Sequence, residues 1–402
     1  MKASWRDIST QLNMLNDLTI LDLSRHLPGP YATMVLADWG AQVIKIEEPA
    51  LGDPVRLSPP FVDGTSALFL QLNRNKKGLT LNLKSSPAKE VFLKLARKAD
   101  VLVESFRPGV TARLGIDYDS LKQINPRLIY CSISGYGQDG PYRNRAGHDI
   151  NYIARAGLLG LNTDAGGTPV IPPVQIADLA SGAMLCLAGV LIALFARQKS
   201  GEGKHVDVSM LDGVLALLPV AFSRSMAGDS LERGEKTELT GSVPFYNVYR
   251  TADGRFLALG AIEPKFWENF CRAIGRRELT SKQFAAGDER EQVTRQVAGT
   301  LASRTQAEWV AAFEGLDVCC EPVESLDEVL SDPQIQQRGM VHAAAHPSGE
   351  MIKQLGSALK FSGNEVPVYH PAPKLGEHTD EILARLGYSK PEISSLRSQG
   401  AI

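Results

Sequence analysis

Between Leu18 and Ile133 the chain switches repeatedly between strand-like and helix-like spacing of its apolar residues, and this alternation limits the fold more than any other feature. Leu18–Ser24 reads as a strand, Leu27-Pro-Gly-Pro30 as a turn, Ala32–Trp39 as a helix and Ala41–Glu47 as the next strand, together one βαβ unit. A strand over Gly78–Leu83, a helix over Pro87–Lys98, and strands over Val101–Glu104 and Arg127–Ile133 continue the pattern. Strands separated by helices cannot pair as hairpins. They predict an α/β fold on a doubly wound parallel sheet covered on both faces. In such sheets ligands gather beyond the carboxyl ends of the strands, so the loops there are where chemistry is expected.

A chain of 402 residues is too long for one ordinary core, and two domains are expected. The apolar run Ala183–Ala196 predicts a buried helix. It is bounded by Asp178, Arg197 and Lys199 and falls short of the roughly 18 apolar residues of a membrane span. A basic, glycine-containing turn over Gln198–Lys204, a strand over His205–Ser209 and a helix from Met210 to about Met226 close the first domain, set at residues 1–227. Beyond it the character changes. Ser230–Thr240 is charged and turn-rich, Phe245–Gly260 reads as a hairpin around Ala252-Asp253-Gly254, and helical patterns follow at Pro264–Ile274 and Glu289–Glu314. Residues 228–335 therefore read as a smaller α+β domain, with 336–402 returning to the first.

A net charge of −2 gives no global basic field, which argues against nucleic acid or an anionic membrane as partner. The five cysteines are an odd number without zinc-type spacing, and Met1–Asp7 is polar where a signal peptide needs an apolar core. A cytoplasmic protein without a bound metal is the expectation. The basic cluster Arg74-Asn75-Lys76-Lys77, with Arg107 and Arg113, reads either as ordinary surface charge or as a phosphate-binding set. A literal GxGxxG at Gly135–Gly140 follows a strand. The continuation Pro141-Tyr142-Arg143 does not open a helix at the last glycine, as pyrophosphate binding requires.

Two proton carriers stand out. His148, in Gly147-His148-Asp149-Ile150-Asn151-Tyr152, lies on a loop beyond a strand, and Asp178, in Gln175-Ile176-Ala177-Asp178, stands at the start of the apolar helix. Asp178 reads as an N-cap whose neighbouring free amides could also hold a developing oxyanion. Glu263, before Pro264, reads on its own as a solvated acid at a helix start. The apolar residues Ile150, Tyr152, Leu158 and Leu159 near the histidine suit either a hydrophobic acyl pocket or the core.

Many short motifs in order give the chain a family likeness: Leu27-Pro-Gly-Pro30, Ala37-Asp-Trp-Gly-Ala-Gln-Val-Ile-Lys-Ile-Glu47, Asn73–Lys84, Glu104-Ser-Phe-Arg-Pro-Gly109, Asn125-Pro-Arg-Leu-Ile129, Gly201-Glu-Gly-Lys204 and Leu375-Gly-Glu-His-Thr379. On these it resembles the class III CoA-transferase family, also called CaiB/BaiF, from Leu18 to about Leu386. The resemblance implies a large Rossmann-like CoA-binding domain, a small domain and an interlocked homodimer. It implies that Asp178 is either the nucleophile of CoA transfer, forming an aspartyl-CoA intermediate, or a proton carrier paired with His148. Glu263 would orient that histidine, as in the α-methylacyl-CoA racemases. The glycine-rich loop of the formyl-CoA transferases is reduced here to Thr240–Pro244. The motifs favour epimerisation of a 2-methylacyl-CoA through an enolate, with acyl-CoA:carboxylate transfer as the alternative. No prosthetic group is implied, since coenzyme A arrives as part of the substrate. By the same resemblance adenine and ribose lie near Leu81, Asn82, Leu83 and Lys84, and phosphates near Arg113. Ser105, Phe106 and Arg107 line that crevice, and Gly147 and Asp149 flank His148 within it. Relatives often carry arginine where this chain has Glu48, so Arg25 or Lys77 is expected to supply the missing phosphate contact.

Overall fold

The computed structural model describes residues 14–229, 232–346, 348–362 and 367–402, so the polar amino-terminal residues Met1–Asp7 lie outside the described residues. Six strands form one parallel sheet: β1 (Thr19–Leu23), β2 (Gln42–Glu47), β3 (Lys76–Thr80), β4 (Val101–Glu104), β5 (Ile129–Ser134) and β6 (His205–Ser209). They lie in the order β3-β2-β1-β4-β5-β6, every neighbour parallel. This is the doubly wound, Rossmann-like arrangement. The strand order reverses between β1 and β4, and the crevice at their carboxyl ends is the place such a sheet offers to a ligand.

Period-two alternation along the strands builds two cores. Leu21, Leu23, Ile44, Ile46 and Leu102 face helix α2 (Ser86–Ala96), meeting its Val91 and Phe92. Ile20, Val43, Val101, Val103 and Ile133 face the other way, toward α1 (Pro28–Asp38) and the long apolar helix. Helix α1 begins at Pro28, ahead of the expected Ala32, because a proline in the first turn lacks only an amide that would have had no intrahelical partner. Further on come α3 (Asp149–Arg155), α4 (Met184–Ser200), α5 (Met210–Ala216) and α6 (Pro219–Met226). The single helix expected over Met210–Met226 is thus two, broken at Leu217-Leu218 ahead of Pro219.

Three further expectations need correction. Strand β3 starts at Lys76 rather than Gly78, because the lysine is fully buried: its Nζ donates to Asp22 Oδ2 (3.0 Å), Pro30 O (2.8 Å) and Asn73 Oδ1 (2.9 Å). Arg74 is likewise buried and paired with Asp38 (2.7 Å), so at Arg74 and Lys76 the basic cluster is neither surface charge nor a phosphate site. Helix α4 is buried on one side only. Cys186, Val190, Ala193 and Leu194 enter the core, while Ile192 (69% exposed) and Phe195 (62%) lie on an uncovered apolar side with Met184, Leu185 and Leu191. Together with the turn before it, Ile176–Ser200 is long and apolar enough to cross a bilayer. Its inner side packs against β5 and α1, as a core helix does.

The chain divides into two compact units, one formed by the described residues up to 230 and from 337 onward, the other by 231–336. In the smaller unit the hairpin Tyr246–Arg250/Phe256–Gly260 carries a third strand, Cys320–Pro322, all antiparallel. Trp267, Phe270, Trp309 and Phe313 fill its core. The helix expected over Glu289–Glu314 is two, Gly287–Leu301 and Gln306–Phe313. A capping box starts the second: Thr305 N–H donates to Glu308 Oε2 (2.8 Å), and Glu308 N–H to Thr305 Oγ1 (3.3 Å).

Candidate active site

The loops that leave β1, β4 and β5, together with the starts of α3 and α5, enclose a pocket of about 450 Å³ at the switch point of the sheet. It brings together Arg25, His26, Ser105, Phe106, Arg107, Gly147, His148 and Asp178, all within the larger unit. Another cavity, about 320 Å³, lies at the amino-terminal ends of β2 and β3 and holds neither His148 nor Asp178.

His148 occupies the N-cap position of α3, with extended backbone (φ −128°, ψ 176°). Asn151 Oδ1 accepts from the His148 N–H (3.0 Å), which pins the histidine's backbone and leaves its ring to the pocket. Gly147 has a local reason to be glycine. A Cβ there would lie 2.7 Å from the Tyr152 ring, whose hydroxyl donates to Gly147 O (2.6 Å). Gly135, the first glycine of the GxGxxG string, is pressed against the same ring, so at that position the string serves packing.

Asp178 is not an N-cap. It is the third residue of a π-helical stretch, Ile176–Ala183, that runs directly into α4, and Gln175 holds the cap position. Such wide turns recur at functional sites because they re-aim side chains within a helix. Close packing fixes this one: Gly182 lies against Pro28, and Ser181 Oγ donates to Met210 O (2.9 Å). The Asp178 amide is also not free to hold an oxyanion, since it donates to Asp149 Oδ1 (3.0 Å). Burial, and secondarily the Asp149 carboxylate, raise the Asp178 carboxyl from the ordinary 3.8 to about 6. A carboxyl titrating there exchanges protons readily near neutrality.

The residues expected to meet CoA divide. Arg25, Ser105, Phe106, Arg107 and Gly147 line the pocket. The Arg25 N–H donates to Ser105 Oγ (2.9 Å) and its guanidinium stands over the Phe106 ring (5.4 Å), tying the β1 and β4 loops together. Asp149 acts on Asp178 rather than on the pocket wall. The side chain of Leu81 is in the core, and Asn82 is tied to the carboxyl terminus, its N–H donating to Ala401 O (2.8 Å). Lys84 is exposed, and Leu83 and Arg113 are not in the pocket wall. Of the two candidates to stand in near Glu48, Lys77 is engaged with Glu381 (2.6 Å) beside the other cavity. Arg25 and Lys84 both act on the Glu48 carboxylate, which the Leu51 and Ala50 amides and these cations hold below its usual range. Glu263 belongs to the smaller unit, exposed at the N-cap of Pro264–Ala273.

Sequence reasoning did not single out His26, Ser134, Arg143 or Arg145, which also line the pocket. The Ser134 hydroxyl is buried without a hydrogen-bond partner. The available signal was position: His26 lies on the loop that leaves β1, Ser134 ends β5, and Arg143 and Arg145 lie on the loop that leaves β5. Among the described residues no group of three or more His, Cys, Asp or Glu side chains is arranged to hold a metal ion.

The crevice at a Rossmann-type switch point, with a histidine, an aspartate and several arginines in one pocket, is the arrangement of an α/β enzyme. The chain belongs to CoA-transferase family III, whose family model matches residues 15–379. It is 34% identical over 389 residues to the alpha-methylacyl-CoA racemase of Homo sapiens, covering 96% of this chain and 97% of that one. It is also 34% identical over 395 residues to the succinyl-CoA:glutarate CoA-transferase of Mus musculus, covering 96% and 90%. The crystal structure of a CAIB/BAIF family protein from Brucella suis superposes with a TM-score of 0.81 at 29% identity, covering 94% of this chain and all of that one.

Proposed function

We propose that the protein epimerises a 2-methylacyl-CoA by two-base proton transfer. The observation that carries this reading is that His148 lines the same pocket as Asp178. A transferase needs only the aspartate, as nucleophile; removing a proton from one face of a planar enolate and returning one to the other needs two proton carriers. Asp178, titrating near 6, is suited to give and take a proton at neutral pH. Arg25, Ser105, Phe106 and Arg107 in the same wall would hold the pantetheine and phosphate portions of CoA, and no prosthetic group is required. The role of Glu263 in orienting His148 rests on the family resemblance alone. The reading carries with it a cytoplasmic setting and an interlocked homodimer, in which the partner subunit would cover the apolar outer side of α4.

A single-epimer 2-methylacyl-CoA incubated in deuterated water without an acceptor acid tests it. Deuterium at the 2-position with loss of stereochemistry, abolished by His148→Ala, is the expected result. No exchange, followed by CoA turnover when carboxylic acids are added and its survival in His148→Ala, would make Asp178 a transferase nucleophile.

A further inference from the structure

We propose that His26 is a third catalytic residue, donating a hydrogen bond to the thioester carbonyl oxygen while His148 takes the adjacent proton. The inference rests on the epimerase reading above. His26 lies three residues past the last residue of β1, at the switch point, and shares the pocket with His148 and Asp178. Its backbone is left-handed (φ +65°), a conformation that non-glycine residues rarely adopt and that persists where the surroundings over-determine it.

The surroundings here are a buried ionic frame. The His26 N–H donates to Asp53 Oδ1 (3.2 Å). The other Asp53 oxygen accepts from Lys45 Nζ (2.9 Å), and the same ammonium donates to Ser24 O (2.8 Å), just ahead of the turn. Lys45 and Asp53 are fully buried. A frame of this kind fixes the His26 backbone at the edge of the pocket.

The ring stands edge-on to that of His148, with centroids 6.3 Å apart. Two groups that each reach a substrate atom by one hydrogen bond of about 3 Å fit such a separation, if those atoms are neighbours such as the α-carbon and the carbonyl oxygen. Of the groups that bear on His26, Asp53 favours its cation, while His148, Arg25 and Lys45 oppose it. Burial is the largest influence, and the net effect holds its basicity below the ordinary value. A neutral imidazole donates a hydrogen bond without becoming a competing acid. The pocket's arginines are better suited to phosphates, which leaves the uncharged donor to the thioester.

In the step itself the α-carbon–hydrogen bond breaks, the proton goes to His148, and the electron pair forms the carbon–carbon double bond of the enolate. The carbonyl π pair moves to the oxygen, where the His26 N–H meets the charge. Protonation from Asp178 on the opposite face reverses the flow. The Asp178 amide is engaged by Asp149 and is not available to this oxygen.

The test compares deuterium incorporation by wild type, His26→Asn and His26→Gln. Asparagine tolerates the left-handed backbone but lacks reach; glutamine carries an amide N–H farther out. His26→Asn should lower kcat about 100-fold with KM changed little, the cost of losing one oxyanion donor, and His26→Gln should recover part of it. If His26→Asn does not fold, His26→Gly takes the same φ freely and replaces it. A folded Asn or Gly variant with kcat within about twofold of wild type would overturn the proposal. Absence of exchange in wild type would instead remove the epimerase reading beneath it.

Discussion

Replacing Asp149 by asparagine separates its two effects on Asp178. The side-chain oxygen of the asparagine can still accept from the Asp178 amide, now held at 3.0 Å by the carboxylate, so the turn keeps its shape while the negative charge disappears. The Asp178 carboxyl titrates at about 6 against an ordinary 3.8, a difference of about 3 kcal/mol against the ionised form. Burial is its larger cause and Asp149 the smaller. Removing the charge therefore recovers less than half of the elevation, under about one pH unit or about 1.4 kcal/mol. The sign follows: without the neighbouring anion Asp178 ionises more readily, so it serves as base at lower pH. The assay is kcat/KM for deuterium incorporation from pH 4.5 to 8, with the epimer whose α-proton is taken by Asp178. The acid limb should lie near pH 6 in wild type and move downward in Asp149→Asn. A limb that stays in place or moves upward would refute the assignment of that limb to Asp178 and of the charge effect to Asp149.

Asp178→Asn should stabilise the fold. A carboxyl raised in the folded state contributes stability below pH 3.8 that is lost as pH rises through 6, so at pH 7.5 the variant should gain up to about 3 kcal/mol by urea denaturation, and at pH 3.5 nearly nothing. Lys76→Met should cost about 3–5 kcal/mol by the same measurement, because it strips a buried partner from Asp22, which Lys45 alone then faces. Gly147→Ala should lower the exchange rate about tenfold or more, since the new methyl forces the Tyr152 ring away and moves the adjacent His148. Unchanged exchange in that variant would show that the histidine's placement does not depend on the glycine.

The parallel sheet was legible because alternation of strand and helix is a local signal, and β1, β2, β4 and β6 lie where their apolar spacing puts them. What was not legible depends on partners distant in the chain. Lys76 looked like a surface charge because its counter-ion, Asp22, is 54 positions away, and Arg74 because Asp38 is 36 away. The π-helical turn at Asp178 leaves no mark on apolar periodicity, and its cause is the fit of Gly182 and Ser181 against Pro28 and Met210. His148 and Asp178 were found through their residue types and motifs. His26 was passed over as a pocket residue because it lies in the short stretch between the strand and the Leu27–Pro30 turn, where no motif marks it.

The hydrogen bond from the Asp178 amide to Asp149 also acts as a gauge. Asp149 is joined to His148 by a peptide bond, so the Asp149 residue and one hydrogen bond connect His148 to the Asp178 backbone. The residues 156–175 that run between them along the chain lie outside that link. Insertions or deletions there need not change the length of the gauge, so the spacing of His148 and Asp178 is set locally and not by the long stretch of chain between them.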